Sequence, residues 1–385
     1  MARIVFVTWY GGGNLAPALG IGSELRRRGH TVSVFGQPPQ RRAVEAAGMA
    51  FTPYTAVPDG PAGTAAERQL RLIRDTWMNP GMADGLVAQL ARDPADAVVT
   101  DYMLAGVLAR SDEFGALAVV LAPGLYQSVL PLRDAMLAFG GQLRAQVGLP
   151  PMDRAAMLWE RKDLVLVTTL PELDGVHADP AANIHYVGPV LDRSAAPGWR
   201  SPWAAGDTRP LILVSFSTMP GQTTPVLLQR VLDAPGGLRA RVLLTTGPVA
   251  PDALRSPANA AVVAFAPHPA VLPAAGLMIS HGGHGGVAAA LAHGVPLLCI
   301  PGIGADQPVI AARVEALGAG KMISADADAS QLRDAAAEVL ANASYRQAAR
   351  RLASALAGVD GAATAASVLE SRPPIAGDPK TRRTS

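Results

Sequence analysis

The chain has 385 residues, 49% of them hydrophobic and 17% charged, so it is too long for one average domain and too apolar to be disordered. Its 33 basic and 31 acidic residues leave a net charge of +2, which marks no nucleic-acid or anionic-membrane partner. The single cysteine, Cys299 in "PLLCIP", excludes an internal disulfide and a cysteine-rich metal site and reads as a buried core thiol.

The opening "MARIVFVTWYGGG" has one basic residue and an apolar run cut short by glycine. No later stretch holds about 18 consecutive apolar residues, so a soluble cytoplasmic protein is expected. "RIVFVTWY" (3–10) has the continuous apolar, β-branched pattern of a strand buried on both faces. Helical spacing follows at Leu15, Leu19, Gly22 and Leu25, with Pro17 tolerated in the first turn and Gly29 as the stop. The triplet Arg26–Arg28 reads as the wet face and end of that helix. "TVSVFG", "DAVVTD" (96–101), "ALAVVLA" (116–122), "LVLVTT" (164–169) and "IHYVG" (184–188) supply further strands, with helical segments between several of them. This alternation predicts a doubly wound parallel sheet.

"DRSAAPGWRSPWAAGDTRP" (192–210) lacks periodicity and reads as a linker. The alternation then restarts, with strands in "LILVSFS", "RVLLTTG", "AAVVAFA", "GLMISHGG", "VPLLCIPG" and "GKMIS". "TPVLLQRVLDA", "GGVAAALAHG", "QPVIAARVEALG" and "DASQLRDAAAEVLAN" are helices between or after them. The expectation is an α/β protein of two Rossmann-like domains facing a cleft: an acceptor-binding domain over 1–191 and a second domain over 211–370. The final helix is free to cross back to the first domain. The tail "SRPPIAGDPKTRRTS" (371–385) is expected to be mobile.

Two glycine-rich loops compete as an anion cradle, "GGGNLAPALG" (11–20) and "HGGHGG" (281–286). The first lacks G-x-G-x-x-G spacing followed by a ribose-binding acid, which disfavours a dinucleotide-dependent oxidoreductase. In the second, glycines let amide N–H groups approach a phosphate at a helix N-terminus, and His281 could add a charge-assisted bond. His284 and His293 have no cysteine or carboxylate at ligand spacing, so no metal set is expected.

With "VSFST" (214–218), "TTGP" (245–248), "FAPHPAVLPAAGLMISHGGHGG" (265–286), "LAHGVPLLCIP" (291–301), "DQP" (306–308) and "AARVEALGAG" (311–320), the chain resembles the inverting, nucleotide-sugar-dependent glycosyltransferases of the GT-B fold. It is most similar to their actinobacterial branch that decorates antibiotics and other natural products. The resemblance spans about residues 2–360 and is densest at 211–320. It implies that Ser217 and Thr218 lie near the donor diphosphate and that His268 packs against the base. It further implies that His281, Gly283, Gly285, Gly286 and Val287 hold the diphosphate, and that Asp306 and Gln307 reach the donor sugar. Asp306 could equally cap the helix after it. No cofactor or metal is implied beyond a nucleotide sugar. A homodimer is compatible with this reading.

Two departures stand out in the donor half. The family often has Thr or Ser where Gly286 stands. Plant relatives carry a ribose-binding Glu at the position of Ala289, and its loss here fits a deoxyribose donor such as a dTDP-sugar. A third departure concerns the base. Relatives carry a His in a His-x-x-Pro pattern, oriented by an Asp, where this chain reads Asn14-Leu15-Ala16-Pro17. Asn14 cannot take up a proton, and His30 falls on the rim opposite the strand C-termini. Asp101, at the end of its strand, is the better candidate, acting directly or through a water, with Asn14 positioning the acceptor. The alternative is that Asp101 only caps the following helix. A C-glycosylating variant with a phenol-type acceptor would need less help from a base.

The segments 60–82 and 123–140 are expected to frame the acceptor pocket. Trp77, Met78, Tyr126 and Met136 could contact a flat polyketide or serve as ordinary packing. Competing readings are a GT-B-fold epimerase or phosphorylase and a non-catalytic donor-binding accessory protein.

Overall fold

A computed structural model of the chain describes residues 1–54, 65–127, 132–152, 158–160, 162–175, 181–192, 199–204, 206–219, 222–302 and 306–372. Parts of the expected acceptor segments (60–64, 128–131), of the linker (193–198, 205) and of the tail (373–385) lie outside them. The chain divides into two units, Met1–Val190 with the segment from Asp360 onward, and Leu191–Val359.

The first unit is built on seven parallel strands: β1 (Arg3–Val7), β2 (Thr31–Gly36), β3 (Ala50–Pro53), β4 (Ala97–Asp101), β5 (Leu117–Ala122), β6 (Leu164–Val167) and β7 (Ile184–Tyr186). Their order is β3-β2-β1-β4-β5-β6-β7, so the winding reverses between β1 and β4. β3 is a strand that the apolar pattern did not predict. It is a four-residue edge strand ending in Pro53, a residue that an edge tolerates because its missing N–H faces no partner.

Continuous apolar runs in β1 follow from burial on both faces. Val5 and Val7 pack with Met82, Leu86 and Trp159 on one side. Ile4 and Phe6 pack with Ile21 and Leu25 on the other. That second face is completed by the last described helix, Gly361–Glu370, through Ala365, Ala366 and Leu369. Arg28 fastens it, donating to the Ala363 carbonyl at 2.9 Å and pairing with Glu370 at 2.6 Å. The arginine triplet is therefore not merely a solvated face.

The second unit repeats the design with six parallel strands: β8 (Leu211–Ser215), β9 (Arg241–Thr245), β10 (Ala260–Val263), β11 (Ala275–Ser280), β12 (Leu297–Cys299) and β13 (Gly320–Met322). Their order is β10-β9-β8-β11-β12-β13, so its reversal lies between β8 and β11. Cys299 is fully buried in β12, and burial pushes its thiol up to about 12. Trp203, from the stretch expected to be a linker, lies 5.7 Å from the Arg241 guanidinium within this unit. The stretch Ala343–Glu370 is long and apolar enough by composition to cross a membrane. It comprises two helices, Ala343–Leu356 and Gly361–Glu370, separated at residues 357–360.

Gly361 is where the returning chain presses on the first unit. A Cβ there would strike the carbonyl oxygens of Gly188 and Pro189, which are backbone atoms and cannot swing away. Gly361→Ala is expected to destabilise the first unit by about 1–3 kcal/mol. Thermal unfolding should show a melting temperature lower by several degrees; an unchanged value would contradict this packing.

Candidate active site

In each doubly wound sheet the place for a ligand is beyond the strand C-termini where the order reverses. In the first unit that point lies between β1 and β4, and it brings Asn14 to Asp101. The chain leaves β1 through Thr8 and Trp9, turns at Gly12 with a left-handed φ of 81°, and enters the helix Leu15–Arg27. Asn14 stands at the N-cap of that helix, yet its side chain makes no capping bond. The amide instead donates to Asp101 Oδ2 at 3.1 Å and to the Trp9 carbonyl at 3.0 Å, and its Oδ1 accepts from the Gly11 N–H at 3.2 Å.

The same loop is pinned from below. Gln40 donates to the Trp9 carbonyl at 2.9 Å, and the Tyr10 N–H donates to Gln37 Oε1 at 2.5 Å. The amides of Tyr10 and Gly11 are therefore already occupied, which leaves fewer donors in this loop for a phosphate.

Asp101 is 2% exposed and accepts from the Met103 N–H at 3.0 Å through its other oxygen. Burial pushes its carboxyl up to about 6, opposed by the bonds from Met103 and Asn14. The Trp9 indole also favours the charged form, without a bond of regular geometry.

In the second unit the reversal sets the loop after β8 beside the loop after β11. Ser280 Oγ accepts from the Gly282 N–H at 3.2 Å, and Gly282 has a left-handed φ of 81°. A Cβ at Gly282 would lie 3.0 Å from the Gln307 carbonyl, so the turn also packs on the next helix. The helix His284–Ala292 starts at Gly283, which has no side chain to cap it. Its first amides, at 284–286, are left without intrahelical partners.

The His281 ring stacks on Phe216 at 6.1 Å between centroids, and its Nδ1 is buried without a partner. His284 Nε2 is likewise buried and unpartnered. Burial pushes both imidazoles down to about 4, so they are neutral near pH 7. His268 is held to Ser215 Oγ at 3.2 Å, and Gln307 Oε1 accepts from the Gly302 N–H at 2.8 Å. Among the described residues, no group of three or more His, Cys, Asp or Glu is placed to hold a metal ion.

Residues 229–368 match the family described as "Erythromycin biosynthesis protein CIII-like, C-terminal domain". The chain is 30% identical over 375 residues to 4'-demethylrebeccamycin synthase of Lentzea aerocolonigenes, covering 83% of this chain and 87% of that protein. It is 28% identical to demethyllactenocin mycarosyltransferase of Streptomyces fradiae, over 96% of this chain and 86% of that one. Among solved structures, the calicheamicin glycosyltransferase CalG4 superposes with a TM-score of 0.81 at 25% identity, over 96% of this chain and 98% of that one. The chain belongs to the GT-B glycosyltransferases of natural-product biosynthesis.

Against this family's pattern, three expectations about the transferase need correction. Val287 does not offer its amide, because that N–H closes the first helical turn on the Gly283 carbonyl at 3.1 Å; the open amides begin at His284. The charge-assisted bond expected of His281 is not preformed, since burial keeps its ring neutral. Asp101 cannot touch an acceptor directly, because it is buried behind Asn14. His30 is structural, receiving the Ala2 N–H at 3.1 Å and pairing with Glu370 at 2.9 Å at the opposite rim.

The remaining candidates sit on the rim of the second sheet. Ser217 is buried, with its hydroxyl accepting from the Met219 N–H at 3.1 Å, and Thr218 is exposed. Gly285 and Gly286 lie in the open first turn. Asp306 is exposed at the N-cap of the helix Gln307–Ala316 and makes no capping bond there. Two residues escaped the sequence reading. Trp9 acts on the Asp101 carboxyl, and Phe265, two residues after β10, is 75% exposed. The signal for Phe265 was its place one residue before the "APH" turn.

The Asp101 carboxyl yields a stability prediction. It titrates near 6 when folded and near 3.8 when unfolded, so the native state keeps the proton longer. Relative stability is then fully present below about pH 4 and is lost as pH rises through 6. Compared with Asp101→Asn, the wild type should lose about 2.4 kcal/mol between pH 4 and pH 7, since each tenfold change in proton affinity is worth about 1.4 kcal/mol and part of the shift is already spent at pH 4. Urea unfolding at both pH values checks this, and a constant difference would contradict the buried titration.

Proposed function

We propose that this transferase is an inverting, metal-independent enzyme that moves a sugar, O- or C-linked, from a nucleoside diphosphate sugar onto a hydrophobic natural-product acceptor in the cytoplasm. The observation that carries the reading is the uncapped glycine turn at His281–Gly286, with free helix amides and two unpartnered imidazole nitrogens beside it. Such a terminus favours a diphosphate through its N–H groups and its dipole, and the same groups neutralise the charge that develops as the diphosphate leaves.

Phe265 offers an exposed aromatic face for the base, near His268. Ala289 can accept no hydrogen bond from a ribose 2'-hydroxyl, which favours a dTDP-sugar over a UDP-sugar. Thr218, Asp306 and Gln307 are assigned to the donor's phosphate and sugar hydroxyls.

In the first unit, Asn14 receives the acceptor hydroxyl and Asp101 acts as a positioning residue behind it. Ionised Asp101 accepts the Asn14 N–H and so fixes the amide, whose oxygen accepts the Gly11 N–H and keeps one lone pair for the acceptor. The acceptor then attacks the anomeric carbon from the face opposite the diphosphate, which inverts the configuration.

Calorimetric titration tests the donor assignment. dTDP should bind more tightly than UDP, unaffected by EDTA, and His281→Ala should weaken dTDP about tenfold, the value of one hydrogen bond to an anion. Equal affinity of wild type and His281→Ala at unchanged melting temperature would contradict it. Inversion is read from the anomeric coupling constant of the product.

A further inference from the structure

The loop that carries Asn14 is held by two glutamines from the turn after β2. Gln37 and Gln40 are 6% and 1% exposed. Burying a carboxamide costs free energy unless its hydrogen bonds are made, and here they are made to this loop. Gln37 Oε1 accepts from the Tyr10 N–H. Gln40 Nε2 donates to the Trp9 carbonyl at 2.9 Å, while its Oε1 accepts from the Gln37 N–H at 2.8 Å. The fold makes room for the second glutamine: a Cβ at Gly36 would come to 2.6 Å from Gln40 Oε1.

This support meets Asn14 at the Trp9 carbonyl. That oxygen accepts from Gln40 Nε2, from Asn14 Nδ2 at 3.0 Å and from the Gly11 N–H at 3.1 Å. It has two lone pairs, so three donors fill it. The Gly11 N–H is also the donor to Asn14 Oδ1. Both ends of the Asn14 amide therefore grip the backbone of residues 9–11, and Gln40 ties that backbone to the β2 side of the sheet.

Asn14 has a competing place to go. As the N-cap residue of the helix Leu15–Arg27 it could turn its oxygen onto the Ala16 N–H, the amide left for capping because Pro17 has none. A working cap has an extended backbone, yet Asn14 is helical here, at φ −72° and ψ −23°. Turning to cap would give up Asp101.

We infer that Gln40 is a positioning residue of the transferase: through the Trp9 carbonyl it holds Asn14 against Asp101 and out of the capping position. The inference rests on the reading above in which Asn14 receives the acceptor. Gln40 acts on the geometry of Asn14 and takes no part in the bond exchange itself.

NMR of the full-length protein carrying carboxyl-labelled aspartate tests the coupling without a substrate. The Asn14 bond favours the charged form of Asp101, so its release should raise the midpoint of the Asp101 signal, which is assigned by its loss in Asp101→Asn. Tyr54, whose hydroxyl feels the Asp101 charge, is held protonated by burial and does not titrate with it. Gln40→Met and Gln40→Ala should each raise the midpoint by about one pH unit, the worth of one hydrogen bond to a charged group. In Asn14→Ala, which already lacks that bond, adding Gln40→Met should move the midpoint by less than about 0.3 unit. In glucose transfer from dTDP-glucose to 7-hydroxycoumarin, Gln40→Met should lower kcat at least about tenfold, with the dTDP dissociation constant unchanged.

An unmoved Asp101 midpoint in both folded Gln40 variants, whatever their melting temperatures, would overturn the inference and leave the transferase reading intact. An equal shift in the Asn14→Ala background would route the effect through the Trp9 indole and overturn it too. Wild-type kcat in Gln40→Met and Asn14→Ala alike, with the midpoints moving as expected, would instead overturn the acceptor role of Asn14, and the inference with it.

Discussion

Where the order of a parallel sheet reverses, the chains leaving the two central strands turn to opposite faces, and the backbone at their C-terminal ends is left open. Everything functional in this chain depends on that constraint, which operates once in each unit. In the first unit it joins the end of β1 to the end of β4, so that residues 87 apart in sequence, Asn14 and Asp101, share a hydrogen bond. In the second it sets the loop carrying Ser217 beside the loop carrying His281, where the His281 ring stacks on Phe216.

The two reversals are wired for different work, and the helix caps record it. Away from them, Thr224, Asp328, Asn342 and Asp360 each cap a helix with a side-chain oxygen. Asn14 is a good capping residue in the capping position, yet it gives up a bond worth about 1 kcal/mol to hold Asp101. Gly283 leaves its helix open because it has nothing to cap with. Local rules broken in this way mark sites where stability yields to function. The raised carboxyl of Asp101 and the lowered imidazoles of His281 and His284 are further departures of the same kind.

Much of this was legible in the sequence. Apolar runs gave twelve of the thirteen strands among the described residues, because buried parallel strands such as β1 must be apolar on both faces; β3 escaped because it is short and lies at an edge. The pairing of Asn14 with Asp101 followed from placing both at strand C-termini. Hydrogen-bond bookkeeping was not legible. No pattern in "HGGHGG" tells which amides the helix consumes, so Val287 was wrongly included. The spacing in "GGGNLAPALG" does not reveal that Gln37 and Asn14 already occupy the amides of Tyr10 and Gly11. Nor could periodicity show that Asp101 would be buried against Asn14.

Two similar glycine-rich turns thus carry opposite proposals: the turn at residues 281–286 is proposed to take the diphosphate, and the turn at residues 11–14 is not. Amide chemical-shift mapping by NMR of the isotope-labelled protein during titration with dTDP separates the two. Large shifts are expected at His284, Gly285 and Gly286, with Gly11, Gly12 and Gly13 unmoved. Shifts centred on Gly11–Gly13, with the 284–286 amides unchanged, would contradict this assignment.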